Sequence, residues 1–287
     1  MPYFALPPWI VLDALIDRWL QEDIGRGDRA SQGLAPRTMT ARWTVKAPGL
    51  VAGLPIAARV FQRLSPNINF QAVIDEGTNC EPQTIIAEIT GQIADLLMGE
   101  RTALNLVMRL SGIATATHAY AAIIADLPVK LVDTRKTTPG LRLLEKYATT
   151  VGGGVNHRWG LDDGAMIKDN HIAAAGGITA AVAAVRQVLP YPLTIEVETE
   201  SIAQVQEALD CGVDIIMLDN MPVEMMKMAV AACRQFNPRI KLEASGNITL
   251  ATIRAVAETG VDYISTSATI TRSPWLDISM RLVDGRF

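Results

Sequence analysis

Six places along the 287-residue chain set charged or hydroxyl side chains at the ends of short apolar runs. They are Asp133–Thr134–Arg135–Lys136, Lys168–Asp169–Asn170–His171, Glu196 with Glu198, Asp219–Asn220, Glu243 with Ser245 and Gly246, and Ser265 to Ser267. One such residue is an ordinary loop. The same pattern at all six indicates an active site. The cations are concentrated, with Arg135, Lys136, Arg142, Lys146, Arg158 and Lys168 all between Lys130 and His171, together with His157. On a chain of net charge −4 this points to an anionic substrate that is neutralised locally. Arg142 and Lys146, four apart and beside Glu145, fit a solvated helix face better. Arg135, Lys136, Arg158 and Lys168 flank apolar runs or glycines and are the better anion ligands. Glu198 and Asp219 supply acceptors for sugar hydroxyls or, through water, for Mg²⁺.

Other signals carry less. Gly152–Gly153–Gly154 lacks the lysine and hydroxyl of a nucleotide P-loop. Gly25-x-Gly27 follows a helical run rather than a strand, so it reads as a turn. His157 and His171 alone are too few for zinc. Met225, Met226 and Met228 read as core filler.

The elements that must position these groups differ between the two halves. In the first, Ile10, Leu12, Leu15, Ile16, Trp19 and Leu20 recur at helical spacing. Strand-like runs follow at Ala41–Val45, Val51–Gly53, Phe70–Ile74 and Ile85–Gln92, with a helix over Ala58–Leu64. This describes a small α+β sandwich over residues 1–110. A long helical pattern runs from Asp95 to Ala125, with a kink expected at Gly112. Beyond it, over 111–271, strands at Val129–Val132, Ala165–Ile167, Leu193–Val197, Ile215–Leu218, Ile240–Leu242 and Tyr263–Ile264 alternate with helices. The helices are expected at Leu141–Thr150, Ile178–Leu189, Ile202–Cys211, Val223–Phe236 and Leu250–Glu258. That rhythm predicts an incomplete (seven-stranded) α/β barrel, whose C-terminal mouth gathers the residues after each strand.

Composition excludes several classes. A net-acidic chain is a poor nucleic-acid binder. No charge-free run reaches the roughly 20 residues of a membrane span. Cys80, Cys211 and Cys233 have no metal-ligand spacing and read as thiols of a reducing, cytoplasmic environment.

Read together, the stretches Glu22-Asp-Ile-Gly-Arg-Gly-Asp28, Glu100-Arg-Thr-Ala-Leu-Asn105, Leu110-Ser-Gly-Ile-Ala-Thr115 and Asp133-Thr-Arg-Lys-Thr-Thr-Pro-Gly-Leu-Arg142 closely resemble quinolinate phosphoribosyltransferases. The resemblance continues through Gly152-Gly-Gly-Val-Asn-His-Arg158, Ile167-Lys-Asp-Asn-His171, Leu218-Asp-Asn-Met221 and Glu243-Ala-Ser-Gly246. It implies an N-terminal sandwich domain, a seven-stranded α/β barrel, a tail over 272–287 that packs back on the first domain, and a homodimer with shared active sites. Dimer and hexamer both stay open. The implied reaction joins quinolinate to phosphoribosyl pyrophosphate, with Mg²⁺, giving nicotinate mononucleotide, pyrophosphate and CO₂ in NAD biosynthesis. By resemblance, Arg135, His157, Arg158 and Lys168 hold quinolinate beside Thr134, with Arg101 reaching in from the partner subunit. Lys136 and Lys168 lie near the donor, and Glu198 and Asp219 near its ribose and Mg²⁺. Ser245, Gly246, Asn247, Thr266, Ser267 and Ala268 match segments that contact the 5′-phosphate. Ser267 stands where that family commonly has glycine, and Thr271 where it has histidine. Molybdenum-transport-associated relatives, a nicotinate phosphoribosyltransferase and an inactive small-molecule sensor are the alternatives. The intact Lys136, Glu198 and Asp219 argue against the sensor.

Overall fold

The computed structural model describes residues 6–34 and 36–283. In chain order the first elements are α1 (Trp9–Ile24), β1 (Thr38–Val45), β2 (Gly49–Leu50), α2 (Leu54–Leu64), β3 (Asn69–Ala72), β4 (Asn79–Cys80), β5 (Ile85–Gln92) and α3 (Ile93–Ile123). Then follow β6 (Lys130–Val132), α4 (Arg142–Val151), β7 (Ala165–Ile167), α5 (Asp169–Ala175), α6 (Ile178–Val188), β8 (Ile195–Thr199) and α7 (Ile202–Asp210). The chain continues with β9 (Ile215–Asp219), α8 (Val223–Phe236), β10 (Lys241–Ser245), α9 (Ile253–Ala257), β11 (Tyr263–Ser265), α10 (Ala268–Thr271) and β12 (Ile278–Val283). These elements group into two compact units. One comprises the chain up to Thr117, Leu143–Gly152 and the residues from Ser273 on; the other comprises His118–Arg142 and Gly153–Arg272.

The first unit is built on an antiparallel sheet of order β12-β1-β5-β3. Helix α1 buries Leu12, Ile16 and Leu20, an i, i+4, i+8 stripe, while Ile10 stays exposed. Trp43 of β1 meets Phe70 of β3 edge-on at 5.6 Å, and Phe70 stacks on Phe61 of α2 at 6.0 Å. Ring pairs of this kind contribute about 0.5–1.5 kcal/mol beyond area burial. The run Val51–Gly53, expected as a strand, is irregular instead and ends where Gly53 takes a φ of +102° and its amide, with that of Leu54, donates to Glu76 at the start of α2. Strand β12 lies in the tail and runs antiparallel to β1, from Thr40 opposite Val283 to Val45 opposite Ile278. Residues 284–287 of the expected tail lie outside the described residues.

Two local expectations are corrected here. Helix α3 runs unbroken through Gly112. The glycine is needed for close approach rather than for a kink, since a Cβ there would lie 1.9 Å from the Pro274 carbonyl oxygen. The α4 residues Glu145 and Lys146 are fully buried, not a solvated face. Glu145 accepts from Arg109 Nε at 3.0 Å and Nη2 at 2.8 Å, a partner 36 residues earlier on α3. Arg142 bonds Thr137 Oγ1 and the Trp159 carbonyl rather than Glu145.

The second unit is an all-parallel sheet of order β6-β11-β10-β9-β8-β7. The sheet has six strands where seven are expected, and Val155 adds only a single parallel bridge to Val132 on the free side of β6. One face of the sheet presents Val197, Ile216, Leu218, Leu242, Ala244 and Ile264 to a core that includes Val182, Val205, Met226 and Ile253. The period of two then turns the alternate residues to the other face. No described helix is long and apolar enough to cross a membrane.

Candidate active site

That other face is polar. Register sets Met166 beside Glu196, and Glu198 and Glu243 on either side of Met217. Two residues further along the same strands come Lys168, Asp219 and Ser245. Apart from Glu196, these side chains and the loops past the strand ends line a cavity of about 790 Å³. It contains Thr134, Arg135, Lys136, His157, Arg158, Lys168, Glu198, Asp219, Ser245, Gly246, Asn247, Thr266, Ser267 and Ala268, so nearly every candidate from the sequence meets in one place. Arg101 is the exception. It sits on α3 in the first unit, its side chain 57 % exposed and bonded to the adjacent Glu100. His171 is also outside the cavity lining; its Nδ1 accepts the Lys168 amide at 3.0 Å and caps α5.

The loop that carries His157 and Arg158 is tied down from beneath. Asp133 is fully buried and accepts from Asn156 Nδ2 at 2.7 Å and from the His157 amide at 2.9 Å. Arg158 reaches the Gly164 carbonyl at 2.8 Å. Burial, with the neighbouring charge of Arg135, pushes the Arg158 guanidinium down from its ordinary value. Arg135 Nε is buried and has no hydrogen-bond partner among the described residues. A buried, unspent donor beside a second arginine suits a planar carboxylate ligand.

His157 has an unexpected setting. Its Nε2 lies 3.1 Å from Glu196 and 3.3 Å from Glu243, both buried. Its Nδ1 accepts the Arg158 amide at 2.7 Å. That bond assigns the ring proton to Nε2, facing the glutamates. Burial alone would lower His157, but the hydrogen bonds to Glu196 and Glu243 outweigh it and push the ring up to about 10. A second proton would need Nδ1 and would break the Arg158 bond, so the two influences oppose each other. The three donor atoms lie within 4.8 Å of one another, a set that can bind a divalent metal. Their spacing is that of hydrogen bonds, with the Nε2 proton in the space a cation would take. Sequence reasoning singled out Glu196 and Glu243 but not this partner. The signal available was their inward position on strands whose alternate residues are apolar.

On the acidic side, Glu198 Oε2 takes Lys168 Nζ at 2.5 Å, and Asp219 Oδ2 takes Asn220 Nδ2 at 2.6 Å. The mouth is therefore not uniformly basic, since its carboxylates already occupy one of the cations. Gly246 has a φ of +92°, and a Cβ there would lie 2.2 Å from Asn220 Oδ1, so a bare backbone is required at that wall.

Two family models cover nearly the whole chain. The N-terminal domain of quinolinate phosphoribosyl transferase matches residues 26–111, and its C-terminal domain matches 113–281. This chain belongs to the quinolinate phosphoribosyltransferase family. A probable nicotinate-nucleotide pyrophosphorylase [carboxylating] of Synechocystis is 58 % identical over 98 % of this chain and 96 % of the relative. The human nicotinate-nucleotide pyrophosphorylase [carboxylating] is 40 % identical over 96 % and 93 %. Among solved structures, NadC from Streptococcus pyogenes superposes with a TM-score of 0.92 at 38 % identity, covering 97 % of this chain and 99 % of that one. The position at which this quinolinate phosphoribosyltransferase family member carries Thr271 is turned away from the cavity lining. Thr271 Oγ1 donates to the Ser267 carbonyl at 3.0 Å.

Proposed function

We propose that the protein transfers the phosphoribosyl group of phosphoribosyl pyrophosphate to quinolinate and decarboxylates the product. It thereby yields nicotinate mononucleotide, pyrophosphate and CO₂ for NAD biosynthesis. The observation that carries this reading is the meeting of Arg135, Arg158 and Lys168 with Glu198 and Asp219 in one cavity of a chain from this family.

Each residue then has a task. Arg135 and Arg158 hold the two adjacent carboxylates of quinolinate, with Lys168 beside them and the clamped His157 fixing the Arg158 backbone. Arg101 of a second copy completes the pocket in a homodimer. Lys136, exposed and without an ion pair among the described residues, faces the developing diphosphate charge. Glu198 and Asp219 accept ribose hydroxyls and favour positive charge at the anomeric carbon as the diphosphate leaves. They also fit Mg²⁺: both are hard oxygen donors on one face of neighbouring strands and would hold the ion there. Bound there, the ion supplies neutralisation of the diphosphate. Once quaternised, the ring nitrogen accepts the electron pair of the breaking carbon–carboxylate bond, and the carbon takes a proton. A cytoplasmic location accords with the three free thiols, Cys80, Cys211 and Cys233.

The test is purified protein with phosphoribosyl pyrophosphate, Mg²⁺ and quinolinate labelled in the 2-carboxylate. Equimolar pyrophosphate and labelled CO₂ are expected. Pyrophosphate without CO₂, or neither, overturns the reading.

A further inference from the structure

One cation of the cavity has no task in that scheme. Arg272 follows the short α10 turn, where its amide donates to the Ala268 carbonyl at 3.1 Å. This i, i+4 relation sets both residues on one side of the turn, and both line the cavity. The guanidinium makes no ion pair or hydrogen bond among the described residues, although acids are common in this unit. The contrast with neighbouring arginines is informative. Arg142, Arg186, Arg234 and Arg254 each spend the guanidinium on a carbonyl, hydroxyl or carboxylate. Arg239 also stays unpartnered, but it is not part of the cavity wall.

The wall that Arg272 joins carries no other cation among the described residues. It is made of Ser245, Gly246, Asn247, Thr266 and Ser267, which offer hydroxyls, an amide side chain and the bare backbone that Gly246 requires. The remaining cavity cations, Arg135, Lys136, Arg158 and Lys168, come from the loops after β6 and β7 and from the Asn156–Arg158 loop. A donor-rich wall with one unspent guanidinium is suited to a dianionic phosphate monoester, which an arginine can grip with two parallel N–H donors.

We propose that Arg272 is the specificity-determining cation for the phosphate monoester of the ribosyl donor, binding the 5′-phosphate while Lys136 and Lys168 face the diphosphate. This rests on the reading under Proposed function and adds a residue to it. A lysine at 272 keeps the charge but not the fork, so it should recover only part of the effect.

The experiment compares Arg272→Ala and Arg272→Lys with Arg239→Ala, an exposed arginine off the cavity. The KM for phosphoribosyl pyrophosphate is expected to rise about 10- to 100-fold in Arg272→Ala, as for a lost charge-assisted hydrogen bond. It should rise less in Arg272→Lys and stay at the wild-type value in Arg239→Ala. The KM for quinolinate should stay within twofold in all three. Calorimetric titration with ribose 5-phosphate and, separately, with pyrophosphate needs no turnover. It should show ribose 5-phosphate weakened in Arg272→Ala and pyrophosphate unaffected. A donor KM within threefold of wild type, or a pyrophosphate loss equal to the ribose 5-phosphate loss, overturns the proposal. Should wild type fail to turn over quinolinate, the earlier reading falls, and the ribose 5-phosphate titration still decides the role of Arg272. Thermal unfolding of each variant separates a binding defect from a folding defect.

Discussion

Replacing Lys136 with alanine separates catalysis from stability more cleanly than any other change at the site. Lys136 lies past β6, where its amide donates to Thr134 Oγ1 at 3.0 Å and shapes the turn. That bond is made by the backbone and survives the substitution. The side chain is exposed and forms no salt bridge among the described residues, so its loss should move stability by less than about 0.5 kcal/mol. Its electrostatic role is larger. A unit charge about 4 Å from developing negative charge, at an effective dielectric of about 20, is worth about 4 kcal/mol. The open cavity reduces this, and removal of one preorganised donor typically costs about 10²–10³-fold in rate. The expected result is a fall of that size in kcat/KM for phosphoribosyl pyrophosphate, followed by pyrophosphate release, with an unchanged urea midpoint. Lys168→Ala cannot give this separation, because it strips the partner from Glu198, whose side chain is only 13 % exposed. A Lys136→Ala enzyme within tenfold of wild type would refute the electrostatic assignment. A large shift of the urea midpoint would show that the lysine supports the fold instead.

Selectivity should follow from the paired arginines: quinolinate should exceed nicotinate in kcat/KM by roughly 10⁴-fold, since one carboxylate leaves a buried cation without its partner. A ratio under about tenfold would mean that the second carboxylate has no dedicated ligands. Mixing Arg101→Ala with Lys168→Ala, each inactive alone, should restore activity once subunits exchange, because one site of the mixed dimer regains every group. Exchange without recovery would dismiss the shared site. In the first unit, Glu76 accepts from Tyr147 Oη at 2.8 Å and from the Gly53 and Leu54 amides, but burial outweighs these bonds and pushes its carboxyl up. The folded state therefore holds this proton more tightly than the unfolded chain does. The resulting stabilisation is complete below the ordinary glutamate pKa of about 4.3 and is lost as pH rises through the raised value. Glu76→Gln should flatten that part of the urea-midpoint profile, and parallel profiles for the two proteins would contradict it.

Much of the molecule is legible in the order of its residues because local periodicity depends on few neighbours. The alternation of apolar strands with amphipathic helices from residue 129 on locates all six barrel strands to within two or three residues, and Ala165–Ile167 and Val223–Phe236 match outright. A parallel strand exposes its end at the mouth, so the candidates written after each strand converge without any knowledge of their contacts. Partners are a different matter. Arg142 and Lys146, beside Glu145, read as a solvated helix face because a charge pattern records a face, not what covers it; Arg109, the partner of Glu145, lies across on another helix. Strand β12 exists through its pairing with β1, more than 230 residues earlier, and nothing in Ile278–Val283 names that partner. The same holds for His157, whose ring nitrogens are held by Glu196, Glu243 and the Arg158 amide. Sequence determines which side chains are available and which way each element turns them. Only the assembled sheet decides which charges are buried together, because the dielectric around a side chain is set by residues that are distant in the chain.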